Sequence, residues 1–217
     1  MRTRSKPKVK ICCISSREEA AMAVEHGANA LGLVSEMPSG PGVIPEELIA
    51  DIAASVPKSV ATFLLTSKRK PEEIVNQVRR CGTNTVQLCD SIEGTLEELR
   101  SALPDIRIVQ VVHVREESSV DEAVAASRSV DFVLLDSGNP ALEVKELGGT
   151  GRTHDWSLSR RIVDLAQCPV YLAGGLNPLN VASAIDAVRP YGIDLCSGVR
   201  TEGALDGSKL SDFFANI

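Results

Sequence analysis

Residues 9–34 run Val9-Lys10-Ile11-Cys12-Cys13-Ile14, Ser15-Ser16, Arg17-Glu18-Glu19-Ala20-Ala21-Met22-Ala23-Val24-Glu25-His26, Gly27-Ala28-Asn29 and Ala30-Leu31-Gly32-Leu33-Val34. The first and last pieces are apolar runs of strand length, and the long middle piece has the length and mixed polarity of a helix. A strand, a helix and a second strand in that order predict parallel strands, because the helix is the crossover returning the chain to the same edge. The first turn narrows the topology further. An open doubly wound sheet ordinarily carries a glycine-rich turn after its first strand, and here that turn is Cys12-Cys13-Ile14-Ser15-Ser16.

Outward from this unit the cycle repeats. Strands are predicted at Val9–Ile14, Ala30–Val34, Ser59–Leu65, Thr85–Cys89, Ile106–Val114, Val130–Asp136, Pro169–Gly174 and Ile193–Ser197. Helices are predicted at Arg17–His26, Pro45–Ser55, Pro71–Cys81, Thr95–Leu103, Ser119–Ser127, Trp156–Gln167, Pro178–Arg189 and Ser208–Asn216. Pro45 and Pro71 each fit a first helical position and are each followed by two glutamates near the positive end of the helix dipole. Eight strand–helix units in a 217-residue chain suit a single α/β domain, a closed (β/α)8 TIM barrel over residues 9–217, after a short basic lead at residues 1–8.

The composition agrees with that architecture. The chain is 43% hydrophobic but holds only four Phe, two Tyr and one Trp, so its core is built from branched aliphatics and alanine, as parallel strands buried on both faces require. A net charge of −6 argues against broad nucleic-acid or anionic-membrane binding. No apolar run approaches the ~18 residues needed to cross a bilayer. The six cysteines at 12, 13, 81, 89, 168 and 196 form no CxxC pair or regular framework, which points to reduced thiols and a cytoplasmic setting.

In a parallel barrel the chemistry gathers at the C-terminal strand ends. Those ends carry Cys12 and Cys13, Val34 and Ser35, Leu65, Cys89 and Asp90, His113, Asp136, Gly174 and Gly175, and Ser197 and Gly198. Asp136 closes the apolar run Phe132-Val133-Leu134-Leu135, an expensive place for a carboxylate without partners or a task; it is either an acid–base group or a cap. Cys12 is either reactive or a small buried apolar residue. The period of two puts Lys10 and Cys12 on one strand face, with Ile11 and Cys13 on the other. The late glycines serve either a phosphate cradle or tight turns. They are Gly148-Gly149-Thr150-Gly151, Gly174-Gly175 and Ser197-Gly198, and bare backbone N–H groups at such positions can approach an anion. Thiolates with the His113 imidazole would suit zinc, but Cys12, Cys89 and Cys196 come from around the whole barrel without paired spacing, so no metal site is expected. His26 and His154 read as surface residues.

These residues resemble the phosphoribosylanthranilate isomerase family. The likeness is carried by Val9-Lys10-Ile11-Cys12, Ala28-Asn29-Ala30-Leu31-Gly32, Val86-Gln87-Leu88, Leu134-Leu135-Asp136-Ser137, the segment 148–156 (GGTGRTHDW), Leu172-Ala173-Gly174-Gly175-Leu176-Asn177-Pro178 and the segment 192–199 (GIDLCSGV). The resemblance implies an aldose–ketose isomerase of tryptophan biosynthesis, an intramolecular oxidoreductase carrying out an Amadori rearrangement of N-(5'-phosphoribosyl)anthranilate. It makes Cys12 the general base at the sugar C2 and Asp136 the general acid at the ring oxygen. It puts the phosphate on amides of Gly149, Gly151, Gly174, Gly175, Ser197 and Gly198, with Lys10, Gln87, Arg152 and Arg200 as further substrate contacts. No metal or organic cofactor is implied, and the partner is the phosphorylated aminosugar, with the chain a monomer or homodimer.

Three positions depart from the family pattern. Lys-Ile-Cys-Gly becomes Lys10-Ile11-Cys12-Cys13, which adds a side chain where bare backbone is usual. The loop of Ser-Pro-Arg-Tyr-Val type, whose arginine binds the anthranilate carboxylate, becomes Pro38-Ser39-Gly40-Pro41-Gly42-Val43-Ile44-Pro45 with no basic residue. The Val-Gln-Leu-His-Gly pattern becomes Val86-Gln87-Leu88-Cys89-Asp90. These changes leave two alternatives beside the family's reaction: the same isomerisation on another phosphorylated aminosugar, with Arg152 or Arg200 as replacement cations for a carboxylate, or a non-catalytic sugar-phosphate-binding barrel.

Overall fold

A computed structural model describes residues 6–139, 141–148 and 151–217. Eight parallel strands close a barrel in sequence order: β1 (Lys8–Ile11), β2 (Ala30–Val34), β3 (Ala61–Thr66), β4 (Thr85–Leu88), β5 (Arg107–His113), β6 (Phe132–Asp136), β7 (Val170–Leu172) and β8 (Gly192–Leu195). Between and after them lie α1 (Arg17–Glu25), α2 (Glu46–Ser55), α3 (Pro71–Cys81), α4 (Leu96–Ala102), α5 (Ser118–Ala126), α6 (Trp156–Leu165), α7 (Val181–Val188) and α8 (Gly207–Ala215). Strand β1 closes the ring on β8 in the register Lys8↔Gly192 to Ile11↔Leu195.

The expected elements are all present, and their altered ends have local causes. Strand β1 stops at Ile11 because Cys13 turns into the left-handed region, φ 64°. Pro45 is the N-cap of α2 rather than its first residue, since its ψ is extended at 149°; Pro71 does open α3, which ends at a left-handed Gly82. Helix α7 begins three residues after Pro178 because Asn177 makes its own turn, its side-chain oxygen accepting from Leu179 N. After β8 the chain adds a 3-10 turn at Ser197–Val199 and a small hairpin of β9 (Arg200–Thr201) and β10 (Ala204–Leu205), which the sequence does not announce.

Two apolar regions sit on the two faces of the strand ring. Outward-facing Val9, Ile11, Leu31, Leu33, Leu64 and Val86 pack with helix residues such as Ile49, Ile74 and Phe213. Burying each such side chain contributes about 1.5–3 kcal/mol. Inside the barrel lie Ala30, Phe63, Val109, Phe132, Leu134 and Tyr171. Toward the N-terminal strand ends, Tyr171 meets Phe132, Phe63 and Tyr191 edge to face at 5.5–6.0 Å, so four of the chain's few aromatics plug that end. The other end stays open as a cavity.

Candidate active site

Lys10 lies beneath the site, sealed from it. It is fully buried, its Nζ donates to Asp194 Oδ2 at 2.8 Å, and it stands 5.2 Å from the Phe63 ring centre. Burial works against the ammonium, but the Asp194 carboxylate and the Cys12 and Cys13 sulfurs outweigh it and keep Lys10 charged. A buried charge without such a partner is several kcal/mol less stable.

Directly above, Cys12 continues the β1 ladder by donating its N–H to the Leu195 carbonyl at 2.7 Å. Its thiol is held below the usual value, first by the Cys13 S–H that donates to it, with burial opposing and Lys10 assisting. Cys13 is pushed up, by its hydrogen bonds to the Cys12 and Cys196 sulfurs and by burial. Asp136 lies at the end of β6, with Oδ1 accepting from Ser137 N at 2.8 Å. Burial pushes its carboxyl up, so it keeps its proton to higher pH than an exposed aspartic acid.

Cys12 and Asp136 line the same open cavity. Its apolar flank is Val34, Met37, Leu65, Leu134 and Leu147, and Gln87 and Asp194 also face it. Its far flank is backbone: Gly148, Gly151, Gly174, Gly175 and Ser197. A Cβ on Gly175 would fall 2.7 Å from the Arg152 carbonyl carbon, and one on Gly198 would fall 2.0 Å from the Leu176 carbonyl oxygen. The loops after β6, β7 and β8 are therefore in backbone contact and tolerate no side chain at these points. Asn177 and Asn180 both donate to the Gly175 carbonyl, at 3.3 and 3.0 Å, which fixes the orientation of the following peptide. Gly149 lies outside the described residues.

The other expected contacts sort by position. Gln87 lines the cavity, and its Oε1 is buried without a hydrogen-bond partner among the described residues. Lys10 is sealed under Cys12 and takes no part in the lining. Arg152 is paired with Glu146 at the surface. Arg200 is nearly buried, pairs with Glu19 at 2.8 Å and donates to the Cys12 and Cys13 carbonyls; it clamps the β1 turn and is committed there. Neither arginine lines the cavity, because each already holds a carboxylate of its own, so neither replaces the cation missing near Pro41. Among the described lining residues no side chain is cationic.

Cys89 is buried, and burial pushes its thiol up to about 12; Asp90 pairs with Lys145 and so ties β4 to the segment after β6. Ser39 donates to the Lys145 carbonyl at 2.6 Å, joining that segment to the one after β2. His154 is half-buried beneath Gly174 rather than on the surface, and burial lowers it to about 4. His113 is buried under Gly138 and does not reach the cavity. Among the described residues no three His, Cys, Asp or Glu side chains are arranged to hold a metal ion.

What sequence reasoning missed is the setting of Cys13. Its sulfur stands 2.7 Å from Cys196 Sγ and 3.6 Å from the Pro41 carbonyl, and a Cβ on Gly42 would fall 2.5 Å from Cys13 Cβ. The side chain added at position 13 fills space that Gly42 leaves empty. The left-handed backbone at 13 is the one local signal, and only a glycine there would have made it legible.

The fold and this mouth define a class, the (β/α)8 barrels with acid–base groups at the C-terminal strand ends. Within that class the comparisons are specific. The family model for N-(5'-phosphoribosyl)anthranilate (PRA) isomerase matches residues 9–216, and the chain belongs to that family. An N-(5'-phosphoribosyl)anthranilate isomerase of Methanocella arvoryzae is 35% identical over 90% of each chain. The phosphoribosyl anthranilate isomerase of Thermotoga maritima superposes with a TM-score of 0.81 at 33% identity, covering 97% of this chain and 98% of that one. A phosphoribosyl anthranilate isomerase in complex with reduced 1-(o-carboxyphenylamino)-1-deoxyribulose 5-phosphate gives 0.79 at 32% identity, with the same coverage.

Proposed function

We propose that the protein isomerises N-(5'-phosphoribosyl)anthranilate to the corresponding aminoketose, the Amadori step of tryptophan biosynthesis, and does so in the cytoplasm. The observation that carries the reading is the pairing of Cys12 and Asp136 in one cavity, their proton affinities displaced in opposite and useful directions. Asp136, whose protonated form burial favours, gives its proton to the ring oxygen, and the sugar opens. Cys12, kept toward the thiolate by the Cys13 S–H and Lys10, removes the proton at C2, and the enolamine collapses to the ketone. The sugar phosphate lies on the amides of Gly151, Gly174, Gly175, Ser197 and Gly198, and the aromatic amine lies against Val34, Met37, Leu65 and Leu134. A phosphate on bare amides is held by charge-assisted hydrogen bonds of about 1.5–3 kcal/mol each.

The test is turnover of N-(5'-phosphoribosyl)anthranilate, generated in place and followed by fluorescence. Cys12→Ala and Asp136→Ala are each expected to lower kcat by roughly 10²- to 10⁴-fold while the protein still folds. Absence of turnover at saturating substrate overturns the reading. One observation favours a second reading, isomerisation of a phosphorylated aminosugar whose amine carries no carboxylate: no cation lines the amine flank around Pro41 among the described residues. A substrate panel pairing anthranilate with uncharged aromatic amines separates the two. The oligomeric state we propose is monomer or homodimer, to be read by light scattering.

A further inference from the structure

Cys13 and Cys196 are 183 positions apart in the chain, yet their sulfurs stand 2.7 Å apart at the cavity rim. Both are free thiols; Cys13 is buried and Cys196 partly open. The backbone holds them there: β1 and β8 pair up to Ile11↔Leu195, and the Cys12 N–H extends the pairing by one more bond. Continued by one residue, that register sets Cys196 opposite Cys12, so Cys13 stands diagonally across from it, and the 2.7 Å between the two sulfurs is what brings them within reach of a bond. The left-handed turn at residue 13 matters too. Strand alternation would send Cys13 outward with Ile11, whereas the turn at φ 64° brings its sulfur back to the rim, between Cys196 and the Pro41 carbonyl.

We propose that Cys13 and Cys196 are a reversible oxidation site, closing to a disulfide when the protein meets a peroxide and thereby setting the reactivity of the adjoining Cys12. The more open Cys196 sulfur takes one oxygen from hydrogen peroxide, becomes a sulfenic acid and releases water. Cys13 then attacks that sulfur, forming the S–S bond and expelling hydroxide. The Cys13 proton goes to the departing hydroxide and converts it to a second water. In sum, two thiols and one peroxide give one disulfide and two waters, and a dithiol reductant reverses the step. A disulfide sulfur has no proton to donate, so Cys12 loses the partner that steadies its thiolate. Such transient bonds are the kind that occur in a reducing compartment.

The effect on turnover rests on the isomerase reading; the formation of the bond does not, and the experiment reads the two apart. The reduced protein is treated with equimolar hydrogen peroxide, its remaining thiols are alkylated, and it is digested without reductant. A linked peptide pair joining the segment of Cys12 and Cys13 to that of Cys196 is expected, two hydrogens lighter than its parts. The link forms in Cys12→Ala and is absent in Cys13→Ala. The oxidised protein is expected to isomerise about ten-fold more slowly at neutral pH, as loss of a hydrogen bond to a charged group implies, and dithiothreitol restores the rate. No link, or a link that requires Cys12 rather than Cys13, overturns the site. A link that leaves the rate unchanged overturns its control of Cys12. A reduced protein with no activity at all, but with the link, counts against the isomerase reading alone.

Discussion

At the ends of β7 and β8 the cavity wall is backbone, with glycines whose added Cβ would strike a carbonyl at 2.0–2.9 Å. At the ends of β1 and β2 it is side chain: Cys12, Cys13, Val34, Met37 and Pro41. The first region has one solution, since any substitution must move main chain. The second has many, because a residue added at 13 is absorbed by a glycine at 42. The glycine motifs of the first region carry the resemblance noted in the sequence, and two of the three departures from it, at Cys13 and around Pro41, fall in the second. Binding built from amides is pinned by packing, and binding built from side chains is free to change its ligand.

Five substitutions test the contrast. Gly198→Ala is expected to cost most, lowering kcat/KM by roughly 10²- to 10³-fold through KM, as two charge-assisted bonds to phosphate are displaced; steady-state kinetics check it, with a thermal melt to confirm folding. An equally small loss in Gly198→Ala and Pro41→Ala would break the contrast. Pro41→Arg sharpens it, lowering KM for the anthranilate substrate by about 10-fold or more against an uncharged amine analogue.

Cys13→Gly acts on rate through pH. On the proposed mechanism Cys12 must lose its proton and Asp136 must keep its own, and the Cys13 S–H favours the first of these. Removing the Cys13 S–H lets the Cys12 thiol rise toward its ordinary value, so Cys13→Gly is expected to lower kcat/KM by about ten-fold at neutral pH and to displace its pH–rate profile from the parent's. The smallest effect is on stability. Burial raises the Asp136 carboxyl, so the folded state binds that proton more tightly than the unfolded chain, and stability is lost as pH rises through the folded value. Asp136→Asn is therefore expected to melt higher than the parent at neutral pH, with the gap closing below the ordinary carboxylate range in thermal scans across pH.

The barrel was legible because strand–helix alternation is a local signal repeated eight times, sharp enough to give β2 and α3 to the residue. Cys12, Asp136 and the glycine strand ends were legible for a related reason: once the strands are placed, their C-terminal ends are a short list. The contacts that cross the ring were not. Arg200 reads in sequence as a spare cation beside a phosphate loop, and only Glu19, 181 residues away in the chain, shows that it is already engaged. Lys10 reads as a residue on the Cys12 face, but how far below the cavity it lies depends on the stagger of β1 against β8. Cys13 and Cys196 meet only because the ring closes.

The ion pair beneath the cavity also bears on how the chain is made. Lys10 leaves the ribosome early, and Asp194 follows 184 residues later. Until β8 arrives, a lysine destined for a fully dry interior lacks the carboxylate it bonds to, and sealing it inside an incomplete ring is opposed by its own hydration. The half-made chain thus resists closing on the wrong strand, and completion of the last strand licenses the first to go in. Closure of this barrel waits on a high-contact-order pairing, and a chain that stops short of Asp194 leaves Lys10 without its partner.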